Sequence, residues 1–198
     1  MNKPAILEMQ RRLGVTQDGQ WGPQSQAALT NYLRDLMPRP HPFPWQIEVQ
    51  SNKSIYGRHG QPDGSYTPPQ RAITLPFPIY YEGRQVTVLR PHEKVADSLL
   101  SVFQRLDQAL PTVEEKRLAG ILTYDGLYNA RPMRGGSSWS MHSWSIAIDL
   151  NAEHNGNLTR WPEVAVMPLV VIECFAREGW LSAGAFWQRD AMHFQATR

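Results

Sequence analysis

The stretch Ser140-Met-His-Ser-Trp-Ser-Ile-Ala-Ile-Asp149 places a histidine in a serine-rich segment that continues into an apolar run and ends in a carboxylate. Serine and β-branched residues are poor helix formers, so we expect a strand over Trp144–Leu150, with His142 on a turn or loop just before it. An offset of seven residues would put His142 and Asp149 on opposite faces of one regular strand. A turn ahead of the strand instead lets the two side chains converge.

A second histidine lies in similar company near the end of the chain. The segment Asp190-Ala-Met-His193-Phe places a carboxylate three residues before an imidazole, a spacing that predicts a turn leading into a strand. Two imidazoles and one carboxylate are the ligands of a catalytic zinc ion that keeps its fourth position for water. If they form such a site, the segments that carry His142 and His193 must be neighbours in space.

The rest of the chain predicts an α+β fold, in which helices pack on a small antiparallel sheet. Apolar residues recur every three or four positions from Glu93 to Leu110, the period of a helix with one buried face. A further helix is expected from Pro168 to a stop at Gly179. Short aromatic and β-branched runs predict strands over Ala119–Tyr124 and Met192–Ala196.

The front of the chain has a different character. Residues 1–37 are interpreted as two short helices around a turn. Ten of the 16 prolines then lie between Pro38 and Pro91, which is typical of an extended linker followed by turn-rich coil. We therefore predict a small helical domain over residues 1–40 and a second domain over residues 41–198, decoupled by the linker.

Charge and hydropathy exclude several classes of partner. The 20 Lys and Arg nearly balance the 18 Asp and Glu, and no clustered basic face suggests nucleic acid. The longest uncharged apolar run is far shorter than the roughly 18 residues of a membrane span. We expect no nucleic acid, no membrane insertion and a monomer. The first residues lack the apolar core of a secretory signal, so we expect synthesis in the cytoplasm without a signal peptide.

A set of spaced residues resembles a known family of zinc peptidases. The set is Ser140-x-His142-x-x-Ser-x-Ala147-x-Asp149, followed by Asp190-x-x-His193-Phe194. It is similar to the family that includes VanY-type D-alanyl-D-alanine carboxypeptidases and phage L-alanyl-D-glutamate endolysins, which usually has glycine where this chain has Ser145. The arginine-containing lead-in from Tyr124 to Gly136 also resembles that family, and the likeness covers about residues 50–197.

The resemblance implies a role for each matching residue. The expected ligands of a Zn²⁺ ion are His142, Asp149 and His193. Asp190 is the expected general base, and Arg131, or else Arg134, is the expected cation that stabilises the reacting carbonyl. Ser140 is interpreted as a hydrogen-bond partner that orients His142, or else as a turn residue.

The front helices resemble a second family. The residues concerned are Leu7-x-x-Gln10-x-x-Leu13-Gly14-Val, Asp18-Gly19-x-Trp21-Gly22-Pro23 and Ala27-Ala28-Leu29. They are similar to the small helical peptidoglycan-binding module of many wall hydrolases, over about residues 3–37. Both resemblances therefore imply peptidoglycan as the partner.

Together the resemblances imply a zinc-dependent peptidase of the peptidoglycan stem peptide, a phage or prophage endolysin that reaches the wall through a holin or with the virion. A D-alanyl-D-alanine carboxypeptidase is the alternative within the same chemistry. A non-catalytic wall-binding or virion structural protein with a vestigial metal site is the alternative of another class. The presence of all four residues expected to hold the metal or act as the base argues against the last alternative.

Overall fold

The computed structural model describes residues 3–198; residues 1 and 2, which belong to the predicted helical domain, lie outside the described part. The helices are α1 (Lys3–Arg12), α2 (Pro23–Leu36), α3 (Gln46–Gln50), α4 (Ala96–Ala109), α5 (Val113–Leu118), α6 (Ala152–Asn155), α7 (Leu169–Arg177) and α8 (Ala183–Trp187). The strands are β1 (Ile73–Tyr81), β2 (Arg84–Leu89), β3 (Tyr124–Gly126), β4 (Ala147–Leu150), β5 (Leu181–Ser182) and β6 (His193–Gln195). Short 3₁₀ segments, Glu93–Val95 and Met141–Trp144, precede α4 and β4. No helix within residues 3–198 is long and apolar enough to cross a membrane.

A four-stranded antiparallel sheet lies at the centre of the second half of the chain, in the order β3-β4-β6-β5. Strands β4 and β6 pair so that Asp149 is opposite His193. The predicted α+β fold is confirmed, and so is the prediction that the two histidine-bearing segments are neighbours. Helix α7 follows Pro168 and ends before Gly179, as expected.

The strand predicted over Ala119–Tyr124 is wrong. Residues 119–122 form a turn after α5, in which Gly120 adopts φ +76°, and β3 begins only at Tyr124. Ile121 is fully buried, so this apolar residue fills the core from a turn and not from a strand. The strand predicted over Trp144–Leu150 begins three residues late, because Trp144 belongs to the 3₁₀ segment.

Strands β1 and β2 form a hairpin where turn-rich coil was predicted, and that prediction is wrong. Pro76 and Pro78 lie inside β1, but the register with β2 shifts between Thr74 and Ile79. A two-stranded sheet with such an irregularity tolerates residues that lack a backbone N–H. Glu82 and its following glycine both have positive φ, which suits a two-residue hairpin turn.

The front helices pack on the second half of the chain. Leu29 and Leu33 of α2 are fully buried and belong to the same hydrophobic core as the sheet and α7. The ring of Trp21 packs edge-on against Trp161, with their centroids 5.7 Å apart. This packing buries one face of α2 against α7 and α8.

The proline-rich segment is also part of this packing, so the prediction of a decoupling linker is wrong. Phe43 is buried and its ring lies edge-on to Trp180, with their centroids 6.0 Å apart. The Arg198 N–H donates to the Pro44 carbonyl at 2.9 Å, and the Gln46 N–H donates to the Arg198 carbonyl at 3.3 Å. An extended proline segment exposes its carbonyls and apolar side chains. Here the Pro44 carbonyl bonds to Arg198, and the Phe43 side chain packs against Trp180. The domain boundary at residue 40 stays a prediction.

Candidate metal centre

Three side chains meet at one end of β4 and β6, the two central strands of the four-stranded sheet. His142 comes from the 3₁₀ segment before β4, Asp149 from β4, and His193 from the start of β6. Asp149 Oδ1 lies 3.2 Å from His142 Nε2 and 2.9 Å from His193 Nδ1, and the two nitrogens are 3.2 Å apart. The structure thus brings together the three residues that the sequence suggested as metal ligands.

The turn that carries His142 is held through the backbone. Ser140 Oγ accepts a hydrogen bond from the His142 N–H at 3.4 Å, so Ser140 caps the turn and does not contact the imidazole. Ser145 ends the turn in the left-handed region, at φ +56°. Glycine suits this conformation better than other residues, which explains why the resembled family uses it there. In this chain Ser145 is fully buried, and Gln70 Nε2 donates to its hydroxyl at 2.7 Å.

The two imidazoles turn different nitrogens towards the cluster. His142 Nδ1 lies 2.9 Å from the Leu127 carbonyl oxygen, which can only accept, so Nδ1 carries the proton and Nε2 faces Asp149. In His193 it is Nδ1 that faces Asp149, and Nε2 lies 3.1 Å from Gln195 Oε1. Sequence reasoning missed Gln195, although its position two residues after His193 in a strand places it on the same face.

Burial and mutual contact shift the ionisation of the cluster. Burial favours the neutral acid of Asp149, but the adjacent His142 and His193 outweigh it, and the pKa of the carboxyl lies below its ordinary value. Burial likewise opposes a charge on His193, yet the hydrogen bond to Asp149 raises the pKa of this imidazole. The cluster therefore retains an ionised carboxylate between two imidazoles.

This donor set fits zinc. Two imidazole nitrogens and one carboxylate oxygen are a common set of three ligands for a catalytic zinc ion, and the three donor atoms here lie within 4.8 Å of one another. Their side chains are at least 87% buried, and each imidazole has a fixed partner for its other nitrogen. Such partners orient metal ligands in proteins.

Asp190 borders the same cleft as the cluster and has both an uncommon backbone conformation and an unpaired buried oxygen. It adopts a left-handed φ of +59°, and its backbone carbonyl accepts a hydrogen bond from the His193 N–H at 2.9 Å. Its Oδ1 atom is buried and has no hydrogen-bond partner within residues 3–198. Burial raises the pKa of this carboxyl, although the neighbouring His193 lowers it in part. A desolvated carboxylate with a raised pKa is well suited to accept a proton.

A cleft of about 230 Å³ opens above the cluster. Arg131 and Arg134, the two candidates from sequence, both border it, together with Arg189, which the sequence analysis missed. Arg131 is half-buried and its guanidinium donates to the Pro132 carbonyl at 3.1 Å, whereas Arg134 is exposed. None of these three arginines forms an ion pair within the described part of the chain. The cleft therefore offers free positive charge to a bound ligand.

Comparison with known proteins adds one finding. Residues 134–196 match the sequence model of a peptidase family described as D-alanyl-D-alanine carboxypeptidase. The matched segment contains Arg134, Asp190 and all three residues of the cluster, but neither Arg131 nor the front helices. Neither the curated proteins nor the solved structures gave a match to this chain. The family match and the cluster together indicate a metallopeptidase.

Proposed function

We propose that this chain is a zinc-dependent peptidase that cleaves the stem peptide of bacterial peptidoglycan. The observation that carries the proposal is the convergence of His142 Nε2, Asp149 Oδ1 and His193 Nδ1 within the segment that matches the carboxypeptidase family. A buried carboxylate oxygen of Asp190 without a protein partner within residues 3–198 lies beside them. This combination of a metal-binding cluster and an available base is what metal-assisted hydrolysis of an amide requires.

The surrounding residues suit this chemistry. Zinc held by the cluster would supply a positive charge that polarises a carbonyl and lowers the pKa of bound water to about 7. Asp190 would take a proton from the attacking water and deliver it to the leaving amine. The guanidinium of Arg131 or Arg134 would stabilise the negative charge that develops on the carbonyl oxygen.

The leading proposal for the bond is an endopeptidase cut, L-alanyl-D-glutamate or a related one, made by a phage or prophage endolysin. It is supported by the resemblance of the front helices to wall-binding modules. Its site of action would be the cell wall, reached through a holin or with the virion. The alternative, removal of a terminal D-alanine, is favoured by the description of the matched family and by the unpaired arginines, which suit a terminal carboxylate.

Digestion of purified peptidoglycan, followed by mass spectrometry of the new termini, tests the proposal. We expect new termini in the stem peptide with the zinc-loaded protein and none after treatment with a chelator. New termini at D-glutamate would indicate the endopeptidase, and free D-alanine would indicate the carboxypeptidase. Binding to sacculi without any new terminus would reject the enzyme and favour a wall-binding protein with a vestigial metal site.

A further inference from the structure

We infer that Gln195 is a positioning residue that fixes the tautomer of His193, so that Nδ1 of this imidazole is the atom available to a metal ion. The inference rests on the proposed zinc centre. It assigns a role to a side chain that lies outside the cluster itself and borders the same cleft.

The geometry determines which nitrogen of His193 must be free of a proton. Nδ1 lies 2.9 Å from Asp149 Oδ1 and 3.2 Å from His142 Nε2, so it is the nitrogen that shares the metal position with the other two donor atoms. A neutral imidazole with a free Nδ1 carries its proton on Nε2. That N–H is buried and needs an acceptor, because an unpaired buried donor costs free energy.

Gln195 supplies this acceptor. Its Oε1 lies 3.1 Å from His193 Nε2, and no other hydrogen-bond partner of Nε2 is found within residues 3–198. The amide is held from its other end, because Gln195 Nε2 donates to Gln46 Oε1 at 2.9 Å and to Thr197 Oγ1 at 2.6 Å. With its nitrogen engaged by two oxygens, the amide presents its oxygen to the imidazole.

The other imidazole shows why this role falls to a side chain. His142 has its proton fixed on Nδ1 by a backbone carbonyl, that of Leu127, which no substitution of the side chain removes. His193 lies in β6, where backbone groups pair with β4 and leave its ring without a backbone acceptor. The two ligands are thus oriented by different means, and only that of His193 can be removed by mutation.

The test measures Zn²⁺ affinity of the full chain by competition with a chromophoric chelator, without peptidoglycan. Gln195→Leu removes the acceptor at similar size, and we expect its zinc affinity to fall by about 10- to 100-fold. Gln195→Glu keeps an acceptor for Nε2, and both Gln46 and Thr197 can reverse to donate to it, so zinc affinity should stay within about threefold of the wild type or increase. Gln26→Leu is the matched control, because it also removes a hydrogen-bonded glutamine side chain, and its partners Trp21, Thr30 and the Ala185 carbonyl are not part of the cluster.

Each outcome decides the inference. Loss of affinity in Gln195→Leu but not in Gln195→Glu or Gln26→Leu supports it. Equal zinc affinity in the wild type and a folded Gln195→Leu overturns it. If Gln195→Leu does not fold, the glutamate variant decides, since a tenfold weaker affinity there would overturn the inference and an unchanged affinity would support it. A wild type without zinc affinity would overturn both proposals, whereas one that binds zinc but leaves peptidoglycan intact would overturn only the proposed function.

Discussion

The front helical unit, residues 3–37, and the candidate metal centre bury polar groups in opposite ways. In the front unit, Gln10 is almost fully buried, yet its amide donates to Asp18, to the Gln20 carbonyl and to Ser25. The side chain of Glu173 on α7 accepts from Arg12 and from the Tyr32 hydroxyl, and so joins the unit to the second half of the chain. At the metal centre, Asp190 Oδ1 is buried without such a partner within residues 3–198.

Under the proposed function, this difference separates polar groups that hold the fold from a carboxylate that would act on a ligand. Buried polar atoms in proteins are almost always paired, so those that satisfy one another stabilise the packing, and an unpaired one calls for a functional explanation. The residues that carry the wall-module resemblance fall in the first class. Gly19, for example, donates its backbone N–H to Gln10, and Trp21 packs against the second half of the chain. These contacts pack the front unit on the second half of the chain.

The largest effect should come from the metal centre. His142→Ala removes one of three donor atoms, and we expect the zinc content to fall from near one ion per chain to near zero. His154→Ala, at an exposed position of α6, is the matched control and should retain its zinc. Metal analysis of protein purified without chelator measures both. Full zinc content in a folded His142→Ala would exclude His142 from the site.

The front unit should respond in stability and not in metal binding. Leu29→Ala opens a cavity at a fully buried position, and we expect the free energy of unfolding of the whole chain to fall by about 2–5 kcal/mol. Leu158→Ala, at a side chain that is 84% exposed, should change it by less than about 0.5 kcal/mol.

Urea unfolding followed by circular dichroism and by tryptophan fluorescence should show one transition in both leucine variants. Zinc affinity of the folded Leu29→Ala variant should equal that of the wild type. Two separate transitions, of which only one moves, would mean that the front helices are an independent domain and not part of a common core.

Substitution of Asp190 should lower the activity without changing zinc binding or stability. Asp190→Asn is nearly isosteric but cannot accept a proton, so we expect activity on peptidoglycan to fall by about 100-fold or more with zinc content and stability unchanged. Asp63→Asn, on an exposed turn, should have full activity. If the asparagine variant at position 190 lost its zinc while folded, Asp190 would be a metal ligand and not a base.

The smallest effect is a dependence of zinc affinity on pH. The pKa of His193 is raised, so without metal the protonated form and its contact with Asp149 stabilise the fold at low pH, and this stabilisation is lost as pH rises through the raised pKa. Zinc requires the unprotonated imidazole, so its affinity should fall by about tenfold for each pH unit below that pKa. Chelator competition at a series of pH values from 6.5 upwards measures it, because the raised pKa lies above 6.5, and a flat profile would mean that no proton leaves His193 on binding.

Elements with a local sequence signal were predicted correctly. The period of three and four in Glu93–Leu110 predicted α4, and Pro168 and Gly179 correctly bounded α7. The candidate metal ligands were also predicted, because their residue types and flanking residues are features of short segments. These features depend on contacts between residues a few positions apart, which a linear pattern contains.

Contacts between distant segments could not be predicted from the sequence and are seen only in the folded chain. The pairing of β4 with β6 sets Asp149 opposite His193, and the approach of α3 brings Gln46 to Gln195, across about three quarters of the chain. The prolines of β1 and of the segment after Pro38 led to two wrong predictions, turn-rich coil and a decoupling linker. A proline is tolerated in a strand or a packed segment wherever no partner needs its missing N–H. Which nitrogen of each imidazole faces the cluster likewise follows from acceptors that only the folded chain supplies. Strand pairing, the contact between Gln46 and Gln195 and the orientation of the imidazoles all depend on packing between remote segments. The spacing of residues along the sequence does not contain this information.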